Sequence, residues 1–324
     1  MTPAPRDQAL DALLHPFDTG LLRWPGAGHV LFLRGREGAA LHAARPPGLV
    51  ATQPFKPEAA RLERIGIELV DEEALPAGGF AMVLVLPPRQ REEARALLAR
   101  AAAAVAPGGI VVASVANDEG ARSREADLKQ LAGEVATISK HHCRVSWTRA
   151  DAVFDVDLLA RWCVADAPRL QRSDDVPGGQ FHSRPGVFAW DRVDAASAML
   201  GDALPADLRG RVADFGAGWG YLSMQVLARC PQAASLDMYE ADARALALAR
   251  VNLGDARVPV AAHWHDVAAG VPGHFDAIVC NPPFHALGRG DRPDIGRAFI
   301  AAAAAALRPG GRLLLVANRH LPYE

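Results

Sequence analysis

Lysine is almost missing from this chain. Of its 35 basic residues only Lys56, Lys129 and Lys140 are lysines, so arginine, whose planar fork suits phosphate, carries the positive charge. Alanine is abundant as well, and a GC-rich genome explains both biases better than function does. An excess of charge is also missing. The 35 basic and 37 acidic side chains leave a formal charge of −2, which argues against a polyanion binder acting through its whole surface and leaves room for a local basic patch. The cysteines, Cys143, Cys163, Cys230 and Cys280, form no C-x-x-C pair, so neither a zinc ribbon nor a disulfide framework is indicated. The longest apolar run, residues 298–307, stops at Arg308 and is too short to cross a bilayer. The N-terminal MTPAPRDQAL lacks the apolar segment of a signal peptide. These absences predict a cytoplasmic protein with reduced thiols and no membrane partner. What is present, 324 residues with 50% hydrophobic and 22% charged side chains, suffices for about two globular domains of roughly 150 residues each.

The sharpest change in composition is DAPRLQRSDDVPGG at 166–179, whose Pro, Gly, Asp and Ser content reads as a linker. We therefore expect domains at 1–165 and 181–324 joined through 166–180. An internal repeat links the two. Phe80-Ala-Met-Val-Leu-Val-Leu-Pro-Pro88 aligns without a gap on Phe275-Asp-Ala-Ile-Val-Cys-Asn-Pro-Pro283. Each segment is followed by an alanine-rich helical stretch, a Pro-Gly-Gly stop (107–109 and 309–311) and a second strand (110–116 and 312–317) that ends at Asn117 or Asn318. Strand, turn, helix and strand in that order are common in α/β proteins, but the matching residue types and spacing favour duplication. In the second half strands are predicted at 211–215, 235–240, 258–264, 275–280 and 312–317, with helices at 221–229, 243–252 and 296–307. This alternation predicts a doubly wound parallel sheet with helices on both faces.

Four strand ends in the second half carry chemistry. Asp214-Phe-Gly-Ala-Gly-Trp-Gly220 stands between a strand and a helix, where Gly216, Gly218 and Gly220 permit a tight turn and close approach of a ligand to the backbone. Its order differs from the G-x-G-x-x-G of hydride-transfer enzymes. Glu240 ends the second strand, where a carboxylate accepts ribose hydroxyls, and Asp266 follows the third, placed for an adenine amino group. Either acid alone is more simply a turn residue or helix cap. Asn281-Pro-Pro-Phe284 closes the fourth strand. His263 and His265 share a strand face without further ligands, so no metal site is expected.

Together, Asp214–Gly220 with Ala217, Glu240, Asp266 and Asn281–Phe284 resemble the class I S-adenosylmethionine-dependent methyltransferases. The Asn-Pro-Pro-Phe turn resembles the subset that methylates nitrogens conjugated to a π-system. The resemblance implies that the Asn281 oxygen and a carbonyl of Pro282-Pro283 accept the hydrogens of a planar amine. It also implies that Phe284 stacks on the base and that S-adenosyl-L-homocysteine is the coproduct. Phe181-His-Ser-Arg-Pro-Gly-Val-Phe-Ala-Trp-Asp-Arg-Val-Asp194 and Asn281-Pro-Pro-Phe-His285 narrow the likeness to bacterial ribosomal RNA guanine-N2 methyltransferases, which share a duplicated, degenerate N-terminal methyltransferase domain. By that likeness Phe188 and Asp194 border the cofactor and substrate cleft.

The first half departs from the catalytic pattern. Arg34-Gly-Arg-Glu-Gly38 lacks the glycine spacing, Leu86 replaces the asparagine, and Arg89 replaces the aromatic residue. It is read as a copy without cofactor or transfer activity, kept for stability or RNA recognition. Lys140-His-His-Cys-Arg144 through Arg149 is either an RNA surface with Trp147 as a platform or an ordinary solvated strand. His285, Arg289 and Arg292, with Arg297, form a second candidate substrate loop. The resulting expectation is N2-methylation of a guanine in ribosomal RNA, 16S favoured over 23S, by a monomer acting on RNA or a ribosomal subunit. Glutamine N5-methylation of a protein and a non-catalytic RNA-binding or assembly role are the alternatives. Because the family's sheet carries a sixth and seventh strand, the expectation is either that a C-terminal hairpin of roughly 20–30 residues is absent from this sequence or that the sheet is shorter than the fold usually has.

Overall fold

Val30-Leu-Phe-Leu33 is apolar at every position and fully buried. Leu31 and Leu33 point into one hydrophobic core, Val30 and Phe32 into another. A strand of this kind needs cover on both faces, as in a parallel sheet between helices. The computed structural model describes residues 7–44, 46, 48–283 and 293–317 and divides into two units, Met1–Ala167 and Pro168–Glu324.

The first unit runs α1 (Gln8–Asp18), β1 (Val30–Leu33), α2 (Ala39–Ala44), β2 (Leu49–Thr52), α3 (Lys56–Arg64), β3 (Glu68–Leu69), β4 (Phe80–Val85), α4 (Arg91–Ala104), β5 (Val105–Ala116), α5 (Ala121–Ala132), β6 (Val135–Lys140), β7 (Cys143–Thr148) and α6 (Val156–Cys163). Its sheet has the order β3-β2-β1-β4-β5-β7-β6. The pairs among β1–β5 are parallel, and β7 lies antiparallel between β5 and β6.

The second unit begins with an antiparallel hairpin, β8 (Arg169–Arg172) and β9 (Gln180–Ser183). It continues α7 (Ala195–Asp202), β10 (Arg209–Phe215), α8 (Tyr221–Arg229), β11 (Gln232–Glu240), α9 (Ala243–Leu253), β12 (Val260–Trp264), β13 (Phe275–Cys280), α10 (Pro293–Ala306) and β14 (Leu307–Leu315). The sheet order is β12-β11-β10-β13-β14, all parallel. Strand order reverses between β10 and β13, and a crevice opens there at the carboxyl ends of the strands. The segments after β10 and β13 are the glycine turn and Asn281, so topology alone brings them together.

The two sheets share an irregularity. In the first, Phe80 pairs with Val105 and Met82 with Ile110. In the second, Phe275 pairs with Leu307 and Ala277 with Arg312. Between these pairs one residue of one strand thus faces four of its partner in both units, and each excursion contains a Pro-Gly-Gly with a left-handed glycine, Gly108 (φ 82°) or Gly310 (φ 79°). This common register defect supports duplication. It also corrects the sequence reading: Pro-Gly-Gly is not a stop between helix and strand but a bulge inside β5 and β14. Each strand starts directly at the helix end, and its ladder resumes after the proline, which has no N–H to pair.

The expected linker at 166–180 is also corrected. Asp166 is fully buried and ion-paired with Arg100 of α4, while residues 169–183 form the β8–β9 hairpin, with Val176 in the core of the second unit. The polar residues there serve the hairpin turn. Among the described residues the second sheet has five strands; residues 318–324 lie outside them. No helix among the described residues is long and apolar enough to cross a membrane, and the four cysteines are free.

Candidate active site

β10 delivers Asp214 and the glycine turn. Asp214 is fully buried; its Oδ2 accepts from Ser223 Oγ at 2.7 Å, and its Oδ1 is buried with no partner among the described residues. Burial, aided by the charge of Glu240 and opposed by the bonds from Ser223, pushes its carboxyl up to about 7. Beyond it the N–H groups of Gly216 and Ala217 donate to the carbonyl of Tyr239 at 2.8 and 3.2 Å, which folds the turn over the end of β11. Gly218 adopts φ 56°, and a Cβ there would meet nothing within 4 Å, so this backbone borders open space. Gly220 is glycine for packing: at φ 98° it caps α8, and a Cβ would lie 3.2 Å from the Ala249 Cα.

Glu240 closes β11. Its Oε2 accepts from the Gly218 N–H at 2.7 Å and its Oε1 from the Asp242 N–H at 2.8 Å. Burial raises its carboxyl above the ordinary range against those bonds. Asp266, at the end of β12, accepts from the Ala268 N–H at 3.0 Å as the cap of a short 3-10 turn. It does not line the cleft described below. His263 bonds to Asp237 at 3.0 Å and stacks on Tyr239 with ring centroids 4.4 Å apart.

β13 delivers Asn281, followed by buried Pro282 and exposed Pro283. The Asn281 Nδ2 donates to Asp194 Oδ2 at 3.0 Å and to Ser197 Oγ at 2.8 Å. Asp194 is also the cap of α7, accepting from the Ser197 N–H at 2.9 Å. Gly216, Ala217, Gly218, Asn281, Asp194 and Phe188 border one cleft. Phe188 is 66% exposed, and its neighbour Ala189, also in the cleft wall, holds φ 49°, a left-handed conformation that costs a non-glycine residue about 1–2 kcal/mol. Strain of this kind concentrates at functional sites.

Six of the residues proposed from the sequence therefore meet in this cleft. Asp214 underlies the turn, Gly220 packs behind it, and Glu240 is tied to it through Gly218. Ser197 was missed, although Asp194 and Ser197 stand at cap and N3 spacing, a readable helix-start signal. Phe284, His285, Arg289 and Arg292 lie outside the described residues. Lys140 and Arg144 belong to the first unit. Lys140 is exposed, whereas Arg144 is engaged by Glu125. Trp147 is not a free platform, because β7 is an interior strand and the ring packs against a core of that unit.

Strand register places Arg34, Gln53 and Leu86 of the first unit where the second has Gly216, Glu240 and Asn281. Arg34 takes φ 56°, and its guanidinium pairs with Glu72 at 3.4 Å and Glu93 at 3.2 Å. Gln53 Oε1 accepts from the Phe55 N–H at 3.0 Å, the counterpart of the bond from Asp242 to Glu240. The turn geometry survives there, but its side chains have been replaced.

The second unit matches the family model described as methyltransferase small domain over residues 178–324. The ribosomal RNA small subunit methyltransferase C of Pseudomonas paraeruginosa is 35% identical over 254 residues, which span 76% of this chain and 73% of that protein. The chain belongs to the ribosomal RNA small subunit methyltransferase C family. The protein of that name from Shewanella amazonensis is 31% identical over 254 residues, covering 76% of this chain and 70% of its own. Within this family a solved structure is also similar, a T. thermophilus 16S rRNA N2 G1207 methyltransferase in complex with AdoMet and guanosine. The match has 25% identity and a TM-score of 0.80, over 100% of this chain and 88% of that one.

Proposed function

We infer that the second unit transfers a methyl group from S-adenosylmethionine to the exocyclic N2 of a guanine in 16S ribosomal RNA. The observation that carries this reading is the meeting of Asn281 with Gly216–Gly218 in one cleft, in a chain of this family. The residues fit the cofactor. Gly218 leaves the room that close approach to the backbone requires, and the Glu240 carboxylate beside it suits ribose hydroxyls. Asp266 is assigned to the adenine amino group by its place after β12.

When bound, S-adenosylmethionine supplies an electrophilic methyl group on a sulfonium. The guanine N2 is planar and weakly nucleophilic, because its lone pair is delocalised into the ring. Asn281 Oδ1 and the Pro282 carbonyl accept its two hydrogens and turn the lone pair out of the ring plane toward the methyl. The Gly216–Gly218 turn and Glu240 would hold the cofactor as it gives its methyl to N2 and leaves as the thioether, and N2 would release a proton to water. Pro282 and Pro283 fix the turn and remove competing donors. Phe284 stacks on the base, which leaves its helix if it is paired. Positioning of this kind is worth up to about 7–11 kcal/mol of barrier. Phe188 and Asp194 border the base, and Lys140, Arg144, His285, Arg289 and Arg292 are the proposed phosphate contacts. The protein acts in the cytoplasm as a monomer.

The test is transfer of labelled methyl to 16S rRNA, small subunits, 23S rRNA and release-factor protein, followed by mass spectrometry of the labelled nucleoside. N2-methylguanosine in 16S rRNA is the expected product. Label only in protein glutamine, or in no substrate, overturns the reading.

A further inference from the structure

An Asn-Pro-Pro turn treats the amino groups of guanine, adenine and cytosine alike, because all three are conjugated exocyclic amines. Selection of guanine needs another group, and the cleft contains one. Both hydrogens of the Asn281 side-chain nitrogen are engaged, by Asp194 Oδ2 and Ser197 Oγ. An ionised carboxylate accepts and does not donate, so the amide can face Asp194 only through its nitrogen, and Asn281 Oδ1 is left as an acceptor. Asp194 Oδ2 is doubly used, by the Asn281 amide and by the Ser197 N–H. Neither Asp194 Oδ1 nor Asn281 Oδ1 has a hydrogen-bond partner among the described residues. Asp194 and Asn281 both line the cleft, although they come from segments 87 residues apart.

Two neighbouring residues of the cleft wall thus each carry an unengaged acceptor, one of them on a carboxylate. Guanine alone among the four bases places a ring N–H beside an exocyclic amine on its pairing edge. Adenine and cytosine present an amine beside a ring nitrogen that carries a lone pair, and uracil has no amine. We propose that Asp194 is the residue that selects guanine: its Oδ1 accepts the ring N1–H while Asn281 Oδ1 accepts a hydrogen of the reacting amine. Adenine or cytosine in the same pose sets a lone pair against the carboxylate, which is rejection by repulsion as well as by a lost bond. The inference rests on guanine N2 being the reacting group.

The test uses Asp194→Asn, which keeps one oxygen for the Asn281 amide and the α7 cap but replaces Oδ1 with an NH2 donor. Asparagine caps a helix as well as aspartate does, so melting temperature and S-adenosylmethionine affinity should match those of the native protein. Two substrates are compared, 16S rRNA with guanine or with 2-aminopurine at the methylated position. 2-Aminopurine keeps the amine and replaces the N1–H by a lone pair. The native protein should prefer guanine by about 100-fold in kcat/KM. Asp194→Asn should lose about 100-fold on guanine and narrow or reverse the preference. Equal use of both bases by the native protein, a measurement independent of how the variant folds, overturns the assignment, as does unchanged preference in the variant. No transfer to guanine by the native protein overturns the parent reading as well.

Discussion

The Gly218 N–H donates to Glu240 Oε2 at 2.7 Å, so the open tip of the turn after β10 is fixed by the carboxylate that ends β11. Glu240 therefore holds the turn, and under the function proposed above it also receives ribose hydroxyls. Hydrogen bonds to a charged group contribute about 1.5–3 kcal/mol each. Glu240→Ala should weaken S-adenosylmethionine binding by about 100-fold in calorimetry, and Glu240→Gln, which keeps one acceptor, should fall between. An alanine variant that binds the cofactor as the native protein does would remove Glu240 from the site.

How much of this was legible in the sequence depended on whether the cause was local. Residues 221–229 and 275–280 were read with their observed boundaries because apolar runs between turn residues mark them without reference to partners. Asp214, Gly216–Gly220, Glu240 and Asn281 were legible because in a doubly wound sheet chemistry collects at strand ends. The Pro-Gly-Gly bulges were not, since a register shift is a property of two strands and neither reveals it alone. Residues 166–180 misled because hairpin turns and linkers share Pro, Gly, Asp and Ser. The bond from Asn281 to Ser197 joins residues 84 apart, and no spacing rule spans that distance.

Asp214 gives a prediction about pH. Its folded carboxyl titrates at about 7 against an ordinary 3.8. A raised carboxyl favours the protonated form in the folded state, so its stability is fully present below about 4 and is lost as pH rises through about 7. The gap amounts to roughly 4 kcal/mol at the alkaline end. Asp214→Asn removes the charge and keeps an acceptor for Ser223. In thermal melts of the cofactor-free protein, the native chain should therefore lose ground to Asp214→Asn between pH 5 and pH 8. A melting difference that does not change with pH would contradict the raised carboxyl.

Ser197 tests whether Asn281 acts through its orientation. The hydroxyl takes one of the two amide hydrogens at 2.8 Å, and the residue is largely buried in the wall of the cleft. Without it Asp194 alone holds the amide, and the Asn281 oxygen samples poses that leave the amine planar. Asn281→Ala should abolish transfer, whereas Ser197→Ala should lower kcat by about 10-fold, the worth of one buried hydrogen bond. In both variants the S-adenosylmethionine affinity stays near the native value, because neither side chain holds the glycine turn. Ser197→Thr restores a hydroxyl at the same place and should recover most of kcat. A merely structural role for Ser197 predicts a fall in melting temperature with kcat unchanged in the surviving fold. Measurement of kcat, KM and melting temperature for the alanine and threonine variants separates the two.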